Sequence, residues 1–305
     1  MAFSPDRDIP DLSGKVILVT GGNSGLGKES IIQFAKHNPR HILMGARSRS
    51  RAEAAISDIR ATVSGTNITF LEIDLSSFKS IKKAAAFVIQ QYDRLDILLN
   101  NAGLMGVDPA LTEDGYEIQF GSNHMGPALL TKLLLPLLEK TSRLSGSDVR
   151  IVQLSSDAFQ FAPKDGILFS QLKSPSEGLS GRARYGQSKL ANLYFIKCLA
   201  TRYPSIKCVA IHPGLVKTGI SANTEKSYAY LSWLINVGIR LLFVDVQTGA
   251  LGQIWASTGP AKEIESGAYY KPLKKRLGAN KVADNHELAE KLWVWTEKEL
   301  IQYSG

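Results

Sequence analysis

Short apolar runs alternate with longer stretches of three-to-four periodicity through most of the chain. Residues 15–20 (KVILVT) are continuously apolar up to the final Thr20, which suits a strand covered on both faces of a parallel sheet. Comparable runs at 41–46, 68–73, 95–99, 149–154 and 207–211 predict five more strands, and 267–270 predicts a short last one. Helical periodicity fills the gaps at 28–37, 52–63, 78–92, 115–139 and 184–203, then returns at 246–257 and 285–303. Strand and helix in strict alternation define an α/β fold with a doubly wound parallel sheet, whose ligands bind beyond the carboxyl ends of the strands. No repeat, low-complexity tract or linker divides the chain, so residues 1–305 are expected to form a single domain.

Two places break the pattern. Pro127 interrupts the 115–139 helix and cannot donate to the Asn123 carbonyl four residues back, which predicts a kink with that carbonyl free to hold a water. Residues 228–244 are dense in Tyr, Trp, Leu, Ile and Val but too short to span a bilayer. A lid over an apolar substrate, a homodimer face and a peripheral membrane contact all fit that stretch. The lid is favoured, as an insertion at about 216–246.

Composition narrows the class. Hydrophobic residues make up 44% and charged residues 21%, an ordinary soluble balance. The net charge of +8 suits an anionic cofactor or a membrane surface, and a well-solvated basic exterior explains it as readily; the basic cluster at 271–276 is broken by Pro272 and Leu273, so it reads as solvated surface and not a nucleic-acid patch. Two cysteines, Cys198 and Cys208, imply no disulfide framework, and residues 1–12 carry neither a secretory nor a transit signal, so a cytoplasmic location is expected. No His/Cys/carboxylate cluster has metal-ligand spacing, and none is expected to bind metal.

Candidate chemistry gathers at the predicted strand ends. Gly21, Asn23, Ser24, Gly25, Leu26 and Gly27 form a glycine-rich turn between a strand and a helix, where backbone N–H groups can face a pyrophosphate. The second strand ends in Arg47, with no Asp or Glu between residues 41 and 52; a guanidinium there matches a 2′-phosphate and points to NADP(H), while Arg49 and Arg51 are also open to solvent roles. Asp74, followed by Leu75, is placed to accept from an adenine amino group, and Asn101, Ala102 and Gly103 let backbone approach a flat ligand. Tyr185 and Lys189, four apart, share a helix face. A phenol of pKa about 10 is a poor base, and a neighbouring ammonium lowers it. His212, ahead of Pro213-Gly214, reads as a structural hydrogen-bonder. Phe159, Phe161 and Met105 are expected to line a substrate pocket.

Thr20-Gly21…Gly25-Leu26-Gly27, Asn100-Asn101-Ala102-Gly103, Asn123, Ser156, Tyr185…Lys189 and Pro213-Gly214…Thr218 resemble, in order and spacing, the motifs of the short-chain dehydrogenase/reductase family, a Rossmann-type fold, over residues 15–270. DGYEIQFGSNHMGPALL (114–130), YGQSKLAN (185–192) and IHPGLVKT (211–218) are most similar to the retinol dehydrogenase-like branch. Pro127 departs from that branch, which usually has a bulky residue there, and the N-terminal membrane anchor of some members is not seen. The resemblance implies that Tyr185 is the general acid in reduction, that Lys189 lowers its pKa and holds the nicotinamide ribose, that Ser156 polarises the carbonyl, and that Asn123 holds a water linking Lys189 to solvent. It also implies cofactor contacts from Pro213, Gly214, Val216 and Thr218. The expected activity is reduction of a hydrophobic ketone or aldehyde of terpenoid, steroid or polyketide type, or the reverse oxidation. The alternative is a silent NADP(H)-binding regulatory or scaffold protein.

Overall fold

The computed structural model describes residues 3–216 and 244–303. Eight strands form one sheet in the order β3-β2-β1-β4-β5-β6-β7-β8. They are β1 (Val16–Thr20), β2 (His41–Ala46), β3 (Ile68–Glu72), β4 (Ile97–Asn100), β5 (Arg150–Leu154), β6 (Lys207–Ile211), β7 (Tyr269–Lys271) and β8 (Lys275–Arg276). Every pairing is parallel except the last. Strand order reverses between β1 and β4, the topological switch point at which such sheets open a crevice.

The helices are α1 (Pro5–Asp8), α2 (Gly25–Ala35), α3 (Arg49–Thr62), α4 (Phe78–Gln91), α5 (Ile118–Phe120), α6 (Gly126–Ser142), α7 (Gly181–Arg202), α8 (Val246–Thr258) and α9 (His286–Leu300). β1 shows why they cover both faces. Its side chains alternate, so Val16 and Leu18 enter one core with α4, α6, α7 and α9, while Ile17 and Val19 enter the other with α2, α3 and α8. Helix α7 is buried on almost all sides because it is sandwiched between the sheet and α9. Its first turn begins at Gly181, three residues before the apolar periodicity, because the Ser180 hydroxyl accepts from the Ala183 N–H at 3.1 Å.

The kink expected at Pro127 takes another form. Residues Gly121–Met125 make a π-turn, closed by the Gly126 N–H on the Gly121 carbonyl. One extra residue per turn lets the helix pass a position that cannot donate. The 271–276 cluster is also more than solvated surface: it turns β7 back into β8, and Lys271 Nζ donates to Asp157 at 2.8 Å. Among the described residues no helix is long and apolar enough to cross a membrane. The apolar stretch read as a lid lies, apart from Val244, outside the described residues.

Candidate active site

β1 ends at Thr20, and the chain turns through Gly21 (φ +66°) and Gly25 (φ +51°), both in the left-handed region that favours glycine. Gly27 then packs so closely that a Cβ would lie 2.4 Å from the Gly21 carbonyl oxygen and 2.7 Å from Asn101 Nδ2. Ser24, at the N-cap of α2, makes no side-chain cap, so the start of the helix is left open above the turn alongside Asn23 and Leu26. The Thr20 hydroxyl receives the N–H groups of Asn101 (3.0 Å) and Ala102 (3.1 Å), and Asn101 Nδ2 donates to the Thr20 carbonyl at 2.8 Å. From α8, Gln253 Nε2 reaches Asn101 Oδ1 (3.2 Å) and Ser30 Oγ (2.7 Å). Thr20 and Gln253 thus lock β1, β4, α2 and α8 together. Their part was hidden in the sequence because Gln253 meets Asn101 only after folding, 152 positions apart.

At the next strand end Arg47 is exposed and has no ion-pair partner among the described residues, whereas Arg49 is held by Glu53 at 3.3 Å and stands over Phe70. Of the three arginines, Arg47 directly follows β2, and Arg51 faces solvent farther along α3. Asp74 Oδ1 accepts from the Ser76 N–H (2.9 Å) and hydroxyl (2.7 Å), which fixes the carboxylate beyond β3 with Leu75 buried beside it.

The other half of the site is a net of side chains. Asn123, inside the π-turn, bonds both ways with Leu104: its Oδ1 accepts from the Leu104 N–H at 2.8 Å and its Nδ2 donates to the Leu104 carbonyl at 2.9 Å. Nδ2 also donates to Ser188 Oγ at 3.0 Å, and Ser188 in turn donates to the Tyr185 carbonyl at 2.8 Å. Lys189 Nζ donates to the Leu154 carbonyl at 3.1 Å and lies 5.4 Å from the centre of the Tyr185 ring. Asn192 Nδ2 shares that carbonyl at 3.2 Å, and Ser155 Oγ pins the Lys189 carbonyl at 2.8 Å. Gly103 closes the cluster; a Cβ there would sit 3.1 Å from Asn123 Oδ1 and 3.5 Å from Lys189 Nζ. Ser156 follows β5 and opens a short 3-10 turn by accepting from the Ala158 N–H at 3.2 Å.

Burial sets the direction of both charges. Burial pushes the Tyr185 phenol up to about 12, with Ser156 opposing the shift through its hydroxyl. Burial also brings Lys189 down to about 8. Desolvation is the larger influence on both groups.

Past β6, the His212 Nδ1 accepts from the Gly214 N–H at 3.4 Å, the structural role expected of it. Pro213 and Gly214 turn the chain, Gly214 at φ +90°, and buried Val216 bridges to Val244. Thr218 lies outside the described residues. Phe159 does not line a pocket: it is fully buried and meets Tyr269 edge-on at 5.9 Å, a contact made across 110 positions. Phe161 is 48% exposed beneath the Arg182 guanidinium, and Met105 is half-buried.

The donor set suits a nicotinamide dinucleotide. A cradle that a Cβ at Gly27 would fill faces an uncapped helix start, a guanidinium with no ion-pair partner among the described residues stands at the tip of β2, and a buried amine stands beside a phenol on α7. Among the described residues no group of His, Cys, Asp and Glu could hold a metal.

Known proteins place this geometry. The profile described as short chain dehydrogenase matches residues 15–229, and the chain belongs to that family, in its retinol dehydrogenase-like part. The short-chain dehydrogenase/reductase drtF of Aspergillus calidoustus is 38% identical over 305 residues, covering 96% of this chain and 95% of that protein. Human retinol dehydrogenase 13 is 33% identical over 285 residues, covering 92% of this chain and 83% of that protein. Among solved structures, NADPH-bound carbonyl reductase from chicken fatty liver superposes with a TM-score of 0.64 at 25% identity, covering 88% of this chain and 100% of that one. The chain is therefore an oxidoreductase of the short-chain family.

Proposed function

We propose that the protein is an NADP(H)-dependent reductase of a hydrophobic ketone or aldehyde, running the reverse alcohol oxidation where cofactor ratios favour it. The observation that carries this reading is the convergence of Asn123, Tyr185 and Lys189, with Ser156 at the end of β5, joined to the glycine turn through the Asn101–Gly103 segment after β4. Gly21, Asn23, Ser24, Gly25, Leu26 and Gly27 would hold the pyrophosphate. Asp74, Leu75, Asn101, Ala102 and Gly103 would border the adenosine and nicotinamide sides, and Pro213, Gly214, Val216 and Thr218 the far edge. Arg47 would pair with the 2′-phosphate, a preference supported by the absence of any carboxylate from residue 41 to 52 and by the NADPH-bound carbonyl reductase among the structural neighbours.

Bound, a reduced nicotinamide supplies the hydride. The chain's own groups manage the proton. A phenol at about 12 stays protonated at neutral pH, so Tyr185 is set up to donate to a carbonyl oxygen as negative charge builds on it. Ser156 donates to the same oxygen and stabilises that charge. Lys189, at about 8 and still largely protonated at neutral pH, can resupply Tyr185, with Asn123 holding the route towards solvent. Oxidation asks more of the site. Bringing the phenol from about 12 to neutrality needs about 7 kcal/mol of differential stabilisation, against about 4 for an unperturbed phenol.

Apolar substrates of terpenoid, steroid or polyketide type fit the relatives, which include retinol dehydrogenases. The test is NADPH oxidation against a panel of apolar carbonyl compounds, with NADH in parallel. Turnover that prefers NADPH supports the proposal. Tight NADPH binding with no turnover on any member would replace it with a silent nucleotide-binding protein.

A further inference from the structure

Directly before Tyr185, Arg184 carries a guanidinium that is 3% exposed, and it pairs with Glu117, which is 0% exposed. Arg184 Nη1 donates to Glu117 Oε1 at 3.0 Å and Nη2 to the Val107 carbonyl at 3.1 Å. The other Glu117 oxygen accepts from the Phe120 N–H at 2.7 Å, fixing the turn that leads into the π-turn, and the Glu117 N–H itself bonds the Leu172 carbonyl at 2.8 Å.

These contacts close a ring. From Tyr185 the path runs through Ser188 to Asn123, from Asn123 through two bonds to Leu104, along the chain to Val107, and back through Arg184. We propose that Arg184 and Glu117 are a positioning pair that sets the spacing of Tyr185 from Asn123. The inference rests on the proton-donating role given above to Tyr185.

Stability is a poor explanation for the pair. Desolvating two charges offsets most of their attraction, and similar buried pairs can be replaced by apolar residues at little loss. A planar fork with two fixed directions supplies geometry instead. Here it ties three chain segments, and each carries or borders a group of the site. Among the described residues Arg184 Nε is buried without a partner, so the guanidinium is held for its two other directions.

The test compares Arg184→Met, Arg184→Lys and Glu117→Gln with Leu292→Ala, a core truncation in α9 outside the ring. In Arg184→Met, kcat should fall on the order of 100-fold, the size expected when a reacting group is misplaced by about 1 Å. NADPH affinity should stay within about threefold, because the cradle lies outside the ring. Arg184→Lys keeps the charge but cannot reach both acceptors, and should lose about tenfold. Glu117→Gln keeps the Phe120 cap and should lose less.

A second readout needs no turnover: the titration of Tyr185 in nucleotide-free protein, followed by NMR of 13C-labelled tyrosine. Among the described residues the titratable groups tied to that ring are Lys189 on its own helix and Tyr269 on β7, with the Ser156 hydroxyl after β5, and none is altered by these changes. The titration should move in Arg184→Met and stay put in Leu292→Ala. Parental kcat and parental titration in folded Arg184→Met, or in Arg184→Lys and Glu117→Gln if the first does not fold, would overturn the proposal. A parent protein that turns over no carbonyl compound counts against the function alone, and the titration then decides the positioning role.

Discussion

At the ends of β1 and β4 the crevice is shaped by atoms that are missing, whereas around α7 it is shaped by side chains that bond one another. The cradle exists because Gly27 has no Cβ to strike the Gly21 carbonyl, and because Thr20 and Asn101 hold two strand ends at a fixed separation. The tyrosine side exists because Asn123 bonds Ser188 while Lys189 and Asn192 both donate to the Leu154 carbonyl in a buried setting. The difference teaches where each half is fragile. A cradle fails when something is added; a network fails when something is taken away.

That contrast can be broken most sharply at Tyr185. Tyr185→Phe removes one hydroxyl and no packing, so kcat for carbonyl reduction should fall by about 10³ or more, within the upper range for loss of general acid catalysis and one charge-stabilising donor, while NADPH affinity measured by fluorescence titration stays near parental. Activity equal to the parent would refute the proton-transfer role. Gly27→Ala should do the reverse. Its added methyl group meets backbone, which cannot yield cheaply, so nucleotide affinity should weaken by about 10- to 100-fold with about 1–3 kcal/mol of lost stability. If a saturating nucleotide then restores most of kcat, the two halves are independent.

Arg47→Ala sharpens the comparison within the cradle. Losing one charge-assisted contact should raise KM for NADPH about 10-fold and leave NADH almost unchanged. Equal effects on both cofactors would move the 2′-phosphate contact elsewhere. A separate effect is expected on stability and comes from His124, next to Asn123. Burial brings its imidazole down to about 3, so the folded protein leaves it neutral while the unfolded chain takes up a proton near 6.5. Stability should therefore drop as pH falls from 6.5 towards 3, with His124 contributing a slope of about 1.4 kcal/mol per pH unit in that window. His124→Asn should flatten the slope in denaturant titrations between pH 6 and about 4.5, above the range where carboxylates dominate.

Much of this was readable from the chain. Strands buried on both faces announce themselves as unbroken apolar runs, and β2 and β6 fall on the predicted residues. Helix spacing put Lys189 beside Tyr185, and the glycine turn marked its own position. What escaped detection depends on contacts between distant positions. Phe159 was expected to line a pocket; it is buried instead, packed on residues as distant in sequence as Tyr269. Strand β8 is two charged residues with no apolar signal, and it exists because β7 offers it an edge. The π-turn was announced only as a kink, since proline states what a helix cannot do and leaves the remedy to its surroundings. The burial of Tyr185 was hidden for a similar reason: the sequence displayed the amine, while desolvation is set by everything packed around it.

That two-residue strand has a consequence for the whole molecule. A parallel sheet ending at β7 would offer an open row of backbone donors and acceptors to any extended chain nearby. By doubling back as Lys275–Arg276, with Arg276 paired to Glu265 at 2.7 Å, the chain presents a stub too short and too cationic for another strand to lengthen. The hairpin thus shortens the run of backbone groups that this edge of the sheet leaves open to pairing.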